Sequence, residues 1–327
     1  MKAKTTKTTK SNNKDFAKDL TNKIIDMINS GETSKWIKAW AESPAPHNPV
    51  TGSKYSGVNW LALQMALREK DQFNGTSSEW VTYTQAQKLS GEVYPFKDGI
   101  NMKGRGVPII RVGMYTKTVQ DNNGKDVDRN FKFMKGFIVF NADFVKNYEV
   151  KQPKTMNSFM RADYIEAFIN RQKADIVEQG DKAFYAPMFD QIQVPNLERF
   201  NSLEDYYATL LHELVHWTSH KDRLGRNFDK KFDGDSMQSY AFEELVAELG
   251  SAMLCSKLGI EGKLQHENYL ASWLKILKSD TKHIISASKY AYEAMEFILA
   301  RGEYTKYFEE EALLSKKDLH DVARIPC

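Results

Sequence analysis

Cysteine is nearly absent from this sequence: Cys255 and Cys327 are the only two in 327 residues. Two thiols cannot build a disulfide framework, and Cys255 lies in an apolar helical run, so a reducing cytoplasm is the expected compartment. Long hydrophobic runs are missing too. No stretch approaches the roughly 20 apolar residues of a membrane-spanning helix, and none follows the basic N-terminus as a signal segment would, so no membrane partner is expected. Charge of one sign has no excess: 46 basic residues face 43 acidic ones, and the net +3 directs attention to local clusters. What is present, 41% hydrophobic and 27% charged, buries a sizeable core and excludes wholesale disorder. The length suggests two domains.

Residues 1–14, MKAKTTKTTKSNNK, are rich in Lys and Thr and read as a disordered basic arm. A helix is predicted from about Asp15 to Ser30, with Phe16, Leu20, Ile24, Met27 and Ile28 on one stripe and Gly31 as its stop. Residues 32–60 look irregular and aromatic. A short helix is expected near Leu61–Arg68, a strand at Trp80–Tyr83 and a helix at Thr84–Leu89. VPIIRVGMYTKTV and FKFMKGFIVFN flank Asn122-Asn123-Gly124, a good hairpin signal. Composition shifts at 148–158, which reads as a linker. The expected division is therefore a first domain of 15–150 and a second of 151–327. The second should hold a helix at Asp163–Gln179, strands at Ala183–Ala186 and Gln191–Val194, then helices. Both halves belong to the α+β class, the first with helices on a small antiparallel sheet, the second mostly helical.

The chemistry concentrates in His212-Glu213-Leu214-Val215-His216. The predicted helix Leu203–Thr218 carries an apolar stripe of Leu203, Tyr206, Tyr207, Leu210, Leu211, Leu214 and Val215. Ser202 with Asp205 three later makes a capping box to start it. His212 and His216 are four apart, so both imidazoles can reach one ion. Glu213 sits about 100° round the helix, near enough to serve as general base toward a metal-activated water. A tetrahedral site needs a third protein ligand. The best source is the predicted helix Gln238–Lys257, where Glu244 and Glu248 stack beside a stripe of Phe242, Leu245, Val246, Leu249 and Met253. Glu243 competes for the same role. The ExxxE after HExxH resembles the gluzincin arrangement, which implies Glu244 as third ligand and Glu248 as the group that fixes the ring of His212. His220 extends the series, but on a continued helix it stands roughly 12 Å from His212 along the axis. It is assigned to the surroundings of the ion or to substrate. The expected cofactor is one divalent ion, with zinc the first choice.

Several segments, taken in order, resemble the ArdC-type antirestriction proteins of plasmids and phages. They are WIKAW (Trp36–Trp40), NPVTGSKYSGVN (Asn48–Asn59), WVTYTQAQKLSG (Trp80–Gly91) and VFNADFV (Val139–Val145) in the first half. The second half adds GDKAFYAPMFDQIQVP (Gly180–Pro195), HELVHWTSHKDRLGR (His212–Arg226), YAFEELVAELGSAML (Tyr240–Leu254) and YLASWL (Tyr269–Leu274). The resemblance implies a single-stranded-DNA-binding domain joined to a zincin-like metallopeptidase domain, protection of incoming DNA from restriction, and a protein or peptide substrate. FKDGINMKGRGVP is longer than the family's Gly- and Lys-rich turn, and residues 1–14 have no counterpart.

Single strands are held by aromatic platforms and cationic side chains. Trp36, Trp40, Tyr55, Trp60, Trp80 and Tyr83 are interleaved with Lys35, Lys38, Lys54, Lys97, Lys103 and Arg105. By residue type alone the same aromatics read first as core, and the resemblance is what points them to DNA. The chosen DNA contacts are Lys54, Tyr55, Lys103 and Arg105. A rival function, in which the protein coats DNA and its metal is structural, stays open; Glu213 favours catalysis, because a structural ion needs no base beside it. For peptide alignment, either Ala183–Ala186 or Gln191–Val194 could pair with a substrate, and Asp190 is expected to position the cleft.

Overall fold

The structure, a computed structural model, describes residues 12–29, 45–67, 77–120, 125–150, 158–260 and 270–304. These divide into two compact units. The first takes Ala45–Gln152, the helix ahead of it and Leu277–Ile285; the second takes Pro153–Ile276 and the residues from Ser286 on.

The first unit begins with α1 (Asn12–Asn29), which starts three residues earlier than expected and buries Leu20, Thr21 and Ile24. Residues 1–11, with most of the predicted basic arm, lie outside the described residues, as do Lys35, Trp36, Lys38 and Trp40. The next helix, α2 (Gly57–Ala66), starts four residues before the predicted Leu61, so Trp60 belongs to a helix and not to an irregular segment. GVNWLALQMA is apolar almost all round, which hides the 3.6-residue contrast and marks a helix enclosed on every side.

Strand β1 (Trp80–Thr82) leads directly into α3 (Tyr83–Ser90), where Thr82 and Gln85 form a reciprocal capping box and Gly91 closes the end in the left-handed region. Two long strands follow, β2 (Val107–Gln120) and β3 (Asp126–Asn141), paired antiparallel from Val107↔Val139 to Gln120↔Asp126. The predicted Asn-Gly turn falls at 121–124, outside the described residues. β1 joins the other edge of β3 over Trp80↔Asn141 to Thr82↔Val139, giving the order β1-β3-β2. The hairpin therefore extends as a two-stranded ribbon well past its short third strand.

The second unit opens with α4 (Ser158–Gln172), which starts five residues before the predicted Asp163–Gln179 and stops seven residues short of its end. Lys173 takes a positive φ of 52°, and Asp-Ile-Val-Glu becomes β4 (Asp175–Glu178). The end is pinned: buried Gln172 donates to Ile298 O at 3.0 Å, and Arg301 Nε donates to Gln172 O at 2.7 Å. β5 (Phe184–Ala186) and β6 (Gln191–Val194) complete a sheet of order β4-β6-β5, with β4 parallel and β5 antiparallel to β6. Among the described residues four α-helices follow: α5 (Leu203–Trp217), α6 (Ser236–Leu258), α7 (Leu270–Ser279) and α8 (His283–Arg301).

The α5–α6 pair is the heart of this unit. Leu211, Leu214, Val215, Phe242, Val246 and Met253 are fully buried. A Cβ at Gly250 would stand 3.0 Å from both methyls of Val215, so the two helices approach closely there because position 250 has no side chain. Among the described residues no helix is long and apolar enough to cross a membrane.

Candidate metal centre

α5 starts where Ser202 Oγ accepts the amide of Asp205 at 3.1 Å, and acidic Glu204 and Asp205 sit in its first turn, favoured by the helix dipole. From that start, two turns of apolar stripe bring His212 and His216 to the side facing α6. Their Nε2 atoms stand 3.1 Å apart. Glu244, on α6, places Oε2 at 3.6 Å from His212 Nε2 and Oε1 at 3.5 Å from His216 Nε2. One atom from each residue lies within 4.8 Å of the others, and this is the grouping of metal-ligating side chains found among the described residues. Donors about 2.1 Å from a tetrahedral ion stand roughly 3.4 Å apart, so the spacing fits one small divalent cation.

Behind each imidazole stands another carboxylate. His212 Nδ1 is 3.4 Å from Glu248 Oε2, and His216 Nδ1 is 3.4 Å from Glu243 Oε1. Such partners on the far nitrogen hold the ring with Nε2 toward the ion. Glu243, the competitor for the third position, thus lies on the other side of His216 from Glu244. It is held there by Arg226, which donates to Oε1 at 2.6 Å and Oε2 at 3.2 Å. Arg226 also donates to Thr218 Oγ1 and to Val215 O, tying the loop after α5 to the end of that helix.

The electrostatics follow from burial against charge. Burial pulls both imidazoles down, but the hydrogen bonds of Glu244 and Glu248 raise His212 to about 9, and those of Glu243 and Glu244 raise His216 to about 10. Burial alone would push Glu244 up, yet its bonds to the two histidines hold it well below the usual carboxylate range. Glu213 stands apart from the triad, 3% exposed, and burial raises its pKa although both histidines pull the other way. The backbone amide of Tyr185 on β5 is a further group that favours its charged form.

β5 is an edge strand, whereas Gln191–Val194 is the central one, paired on both sides, which removes it as a place for a substrate strand. The Tyr185 hydroxyl donates to Asp190 Oδ1 at 2.9 Å. Arg223 binds both oxygens of Asp190 and stacks 3.9 Å over the ring of Trp217. Asp190 thereby links the edge strand to the turn after α5. That turn ends the helix at Trp217, so His220 does not continue the stack; its Nδ1 accepts the amide of Asp222 at 3.3 Å.

In the first unit the expected DNA contacts occupy two separate turns. Lys54 is exposed, while the Tyr55 hydroxyl donates to Trp80 O at 3.1 Å and burial raises its pKa. Lys103 is exposed; Arg105 donates to Asn101 O and lies over the Phe144 ring at 5.2 Å. Trp60 and Trp80 are 1% and 0% exposed, so for them the core explanation holds. Arg226, Arg223 and Tyr185 were not found by sequence reasoning, since each acts through contacts that only the fold creates.

Comparison with known proteins decides the lineage. Residues 14–140 match the model of the N-terminal domain of anti-restriction factor ArdC, and residues 163–290 match that of a zincin-like metallopeptidase. The metal-free crystal structure of antirestriction ArdC protein from plasmid R388 aligns with a TM-score of 0.69 at 32% identity, over 89% of this chain and 98% of that one. This chain belongs to the ArdC antirestriction family. The Mn(II)-bound structure of R388 ArdC aligns at 0.65 and 31% identity, over 88% and 97% of the two chains. The uncharacterized protein y4eC of Sinorhizobium fredii is 30% identical over 297 residues, 88% of this ArdC-family chain and 92% of that protein. Two Escherichia coli proteins named DNA primase TraC are 30% and 32% identical to it, but it spans only 20% and 27% of their length.

Proposed function

We propose that this ArdC-family chain is a cytoplasmic antirestriction protein that protects incoming plasmid or phage DNA by joining a single-stranded-DNA-binding domain (residues 15–150) to a metal-dependent peptidase-like domain (151–327). The observation that carries the second half is the convergence of His212 Nε2, His216 Nε2 and a Glu244 carboxylate at 3.1–3.6 Å, with a carboxylate behind each Nδ1. Those three residues would hold one divalent ion. Zinc suits two imidazoles and a carboxylate, and manganese is the ion named for R388 ArdC.

The ion, when bound, supplies Lewis acidity toward water and toward a carbonyl oxygen. The chain's own residues supply the rest. Glu213, with a pKa raised by burial beside the two histidines, is suited to take a proton at its carboxylate and return it to a leaving amine. The open edge of β5 offers main-chain hydrogen bonds that would align an extended peptide next to it. Asp190 and Arg223 keep that edge in place through Tyr185.

One observation favours the rival, a DNA-coating protein with a structural ion: His212, Glu213 and Glu244 are all below 5% exposed. The two readings separate on the parent protein and Glu213→Gln, loaded with metal and offered a mixed peptide library, with cleavage read by mass spectrometry. Cleavage by the parent that Glu213→Gln loses supports the peptidase; its absence from both leaves the rival standing. The first domain is tested on the full chain by binding of labelled oligothymidylate against a duplex of equal length. Tighter or equal binding of duplex would overturn the single-strand reading.

A further inference from the structure

Beyond the three residues where β1 joins, the β2–β3 hairpin stands as a ribbon with two faces. Residues directly opposite share a face, and successive residues alternate between faces. The ladder register therefore sorts every side chain. One face carries, rung by rung, Arg111↔Lys135, Gly113↔Phe133, Tyr115↔Phe131 and Lys117↔Arg129. Two cationic rungs thus bracket an aromatic patch.

Like charges directly opposite one another destabilise an antiparallel pair. Here two such pairs occur on one face, and no Asp or Glu shares that face anywhere along the described ladder. The acidic residues of the ribbon, Asp126 and Asp128, lie on the other face, where Asp128 accepts the Thr118 hydroxyl at 2.7 Å. All four cations are exposed. Lys135 rests 5.2 Å over the ring of Phe137, and an exposed cationic face of this kind suits an anionic ligand.

The patch between the cations is accessible as well. Tyr115 is 50% and Phe131 37% exposed, and their rings stack at 5.6 Å with an interplanar angle of 25°. A Cβ at Gly113 would meet the Phe133 ring at 2.6 Å, so that ring occupies the space over the glycine and extends the patch. Cationic rungs six residues apart span about 20 Å of strand, enough for a short run of nucleotides with phosphates at both ends and bases over the rings.

We propose that this face of the hairpin binds single-stranded nucleic acid, with Tyr115, Phe131 and Phe133 stacking bases and Arg111, Lys117, Arg129 and Lys135 holding phosphates. The proposal rests on the assignment of single-strand binding to the first domain, and moves the principal contact from the turns at Lys54 and Arg105 to the ribbon. Paired bases offer no free faces to such a patch, so duplex should bind more weakly.

The test uses the full chain and a fluorescein-labelled oligothymidylate, with anisotropy followed at several salt concentrations. Tyr115→Leu/Phe131→Leu keeps apolar volume but removes the π faces; it should weaken binding about tenfold or more at an unchanged salt slope. Lys117→Gln/Arg129→Gln should weaken binding and make the log-log salt slope shallower by roughly 1.4, about 0.7 for each phosphate no longer neutralised. Met114→Ala, on the opposite face, should bind as the parent does, and all variants should melt with it. Oligonucleotides carrying 4-thiothymidine, photocrosslinked to the parent, should give adducts in the peptides of 107–120 and 126–141, a readout independent of substitution. If the parent binds no single strand, the domain assignment itself fails. If the parent binds while both double variants match it and the crosslinks map elsewhere, the ribbon proposal alone is overturned. A change in oligomeric state with unchanged DNA affinity would also overturn it, and would assign the face to self-association.

Discussion

Arg226 grips Glu243 by both carboxylate oxygens, at 2.6 and 3.2 Å, and Glu243 in turn faces His216 Nδ1 at 3.4 Å. The Arg226 side chain is 3% exposed and that of Glu243 17%, so this largely buried charge pair transmits its orientation to a histidine of the metal triad. Loss of such an outer partner typically costs about 10–100-fold in metal affinity. Glu243→Gln should therefore weaken binding by that order without abolishing it, measured by competition with a chelating dye. Arg226→Met should also lower the melting temperature, because it strips the largely buried Glu243 of its two guanidinium hydrogen bonds. If Glu243→Ala lost the ion outright while Glu244→Ala kept it, the two residues would have to exchange roles.

Glu213 bears on a different step. Glu213→Gln should bind metal and melt as the parent does, since it sits outside the donor triad. Any peptide hydrolysis should fall by roughly 10²–10⁴-fold, the usual worth of a positioned base. Activity within about twofold of the parent would remove Glu213 from the mechanism.

The metal-free protein should show an unusual dependence on pH. His212 and His216 are raised to about 9 and about 10 by their carboxylate partners, from an ordinary value near 6.5. A histidine with a raised folded-state pKa stabilises fully below its unfolded value, and the stabilisation is lost as pH rises through the folded one. The melting temperature of chelator-stripped protein should thus decline between about pH 6.5 and 10. Metal affinity should rise over the same window, because the ligand nitrogens must give up their protons. A melting temperature that climbs with pH in the stripped protein would contradict the cluster.

Gly250 offers a test of how packing sets the site. A valine there meets the Val215 methyls across the α5–α6 interface, and overpacking of this kind costs about 1–3 kcal/mol. Because His216 and Glu244 sit on those two helices, Gly250→Val should weaken metal binding as well as lower the melting temperature. Val215→Ala in the same chain should recover part of both. Unchanged affinity in the single variant would mean that the triad tolerates a shift between the helices.

How much of this was legible beforehand depends on whether the information was local. The pair His212 and His216 and the stack Glu244 and Glu248 are read from i, i+4 spacing within one helix, and the structure brings the two sets together. The hairpin was legible from alternation. The overlong helix at Asp163–Gln179 failed because Asp-Ile-Val-Glu continues an apolar pattern while Lys173 breaks the backbone with a positive φ. Trp60 and Trp80 could not be separated from stacking platforms by type, since burial is a tertiary property. The Arg226–Glu243 and Arg223–Asp190 links join residues 17 and 33 apart, with no periodic signature. The cationic face of the ribbon was not legible either, since only the strand register pairs Arg111 with Lys135 and Lys117 with Arg129.

The most direct measurement of the central claim is metal stoichiometry, by plasma mass spectrometry after equilibration and desalting, on the parent, Glu213→Gln, Glu244→Ala and His212→Ala/His216→Ala. One divalent ion per chain in the parent and in Glu213→Gln, and none retained in the other two, is the predicted result. Full occupancy in the double histidine variant would contradict it.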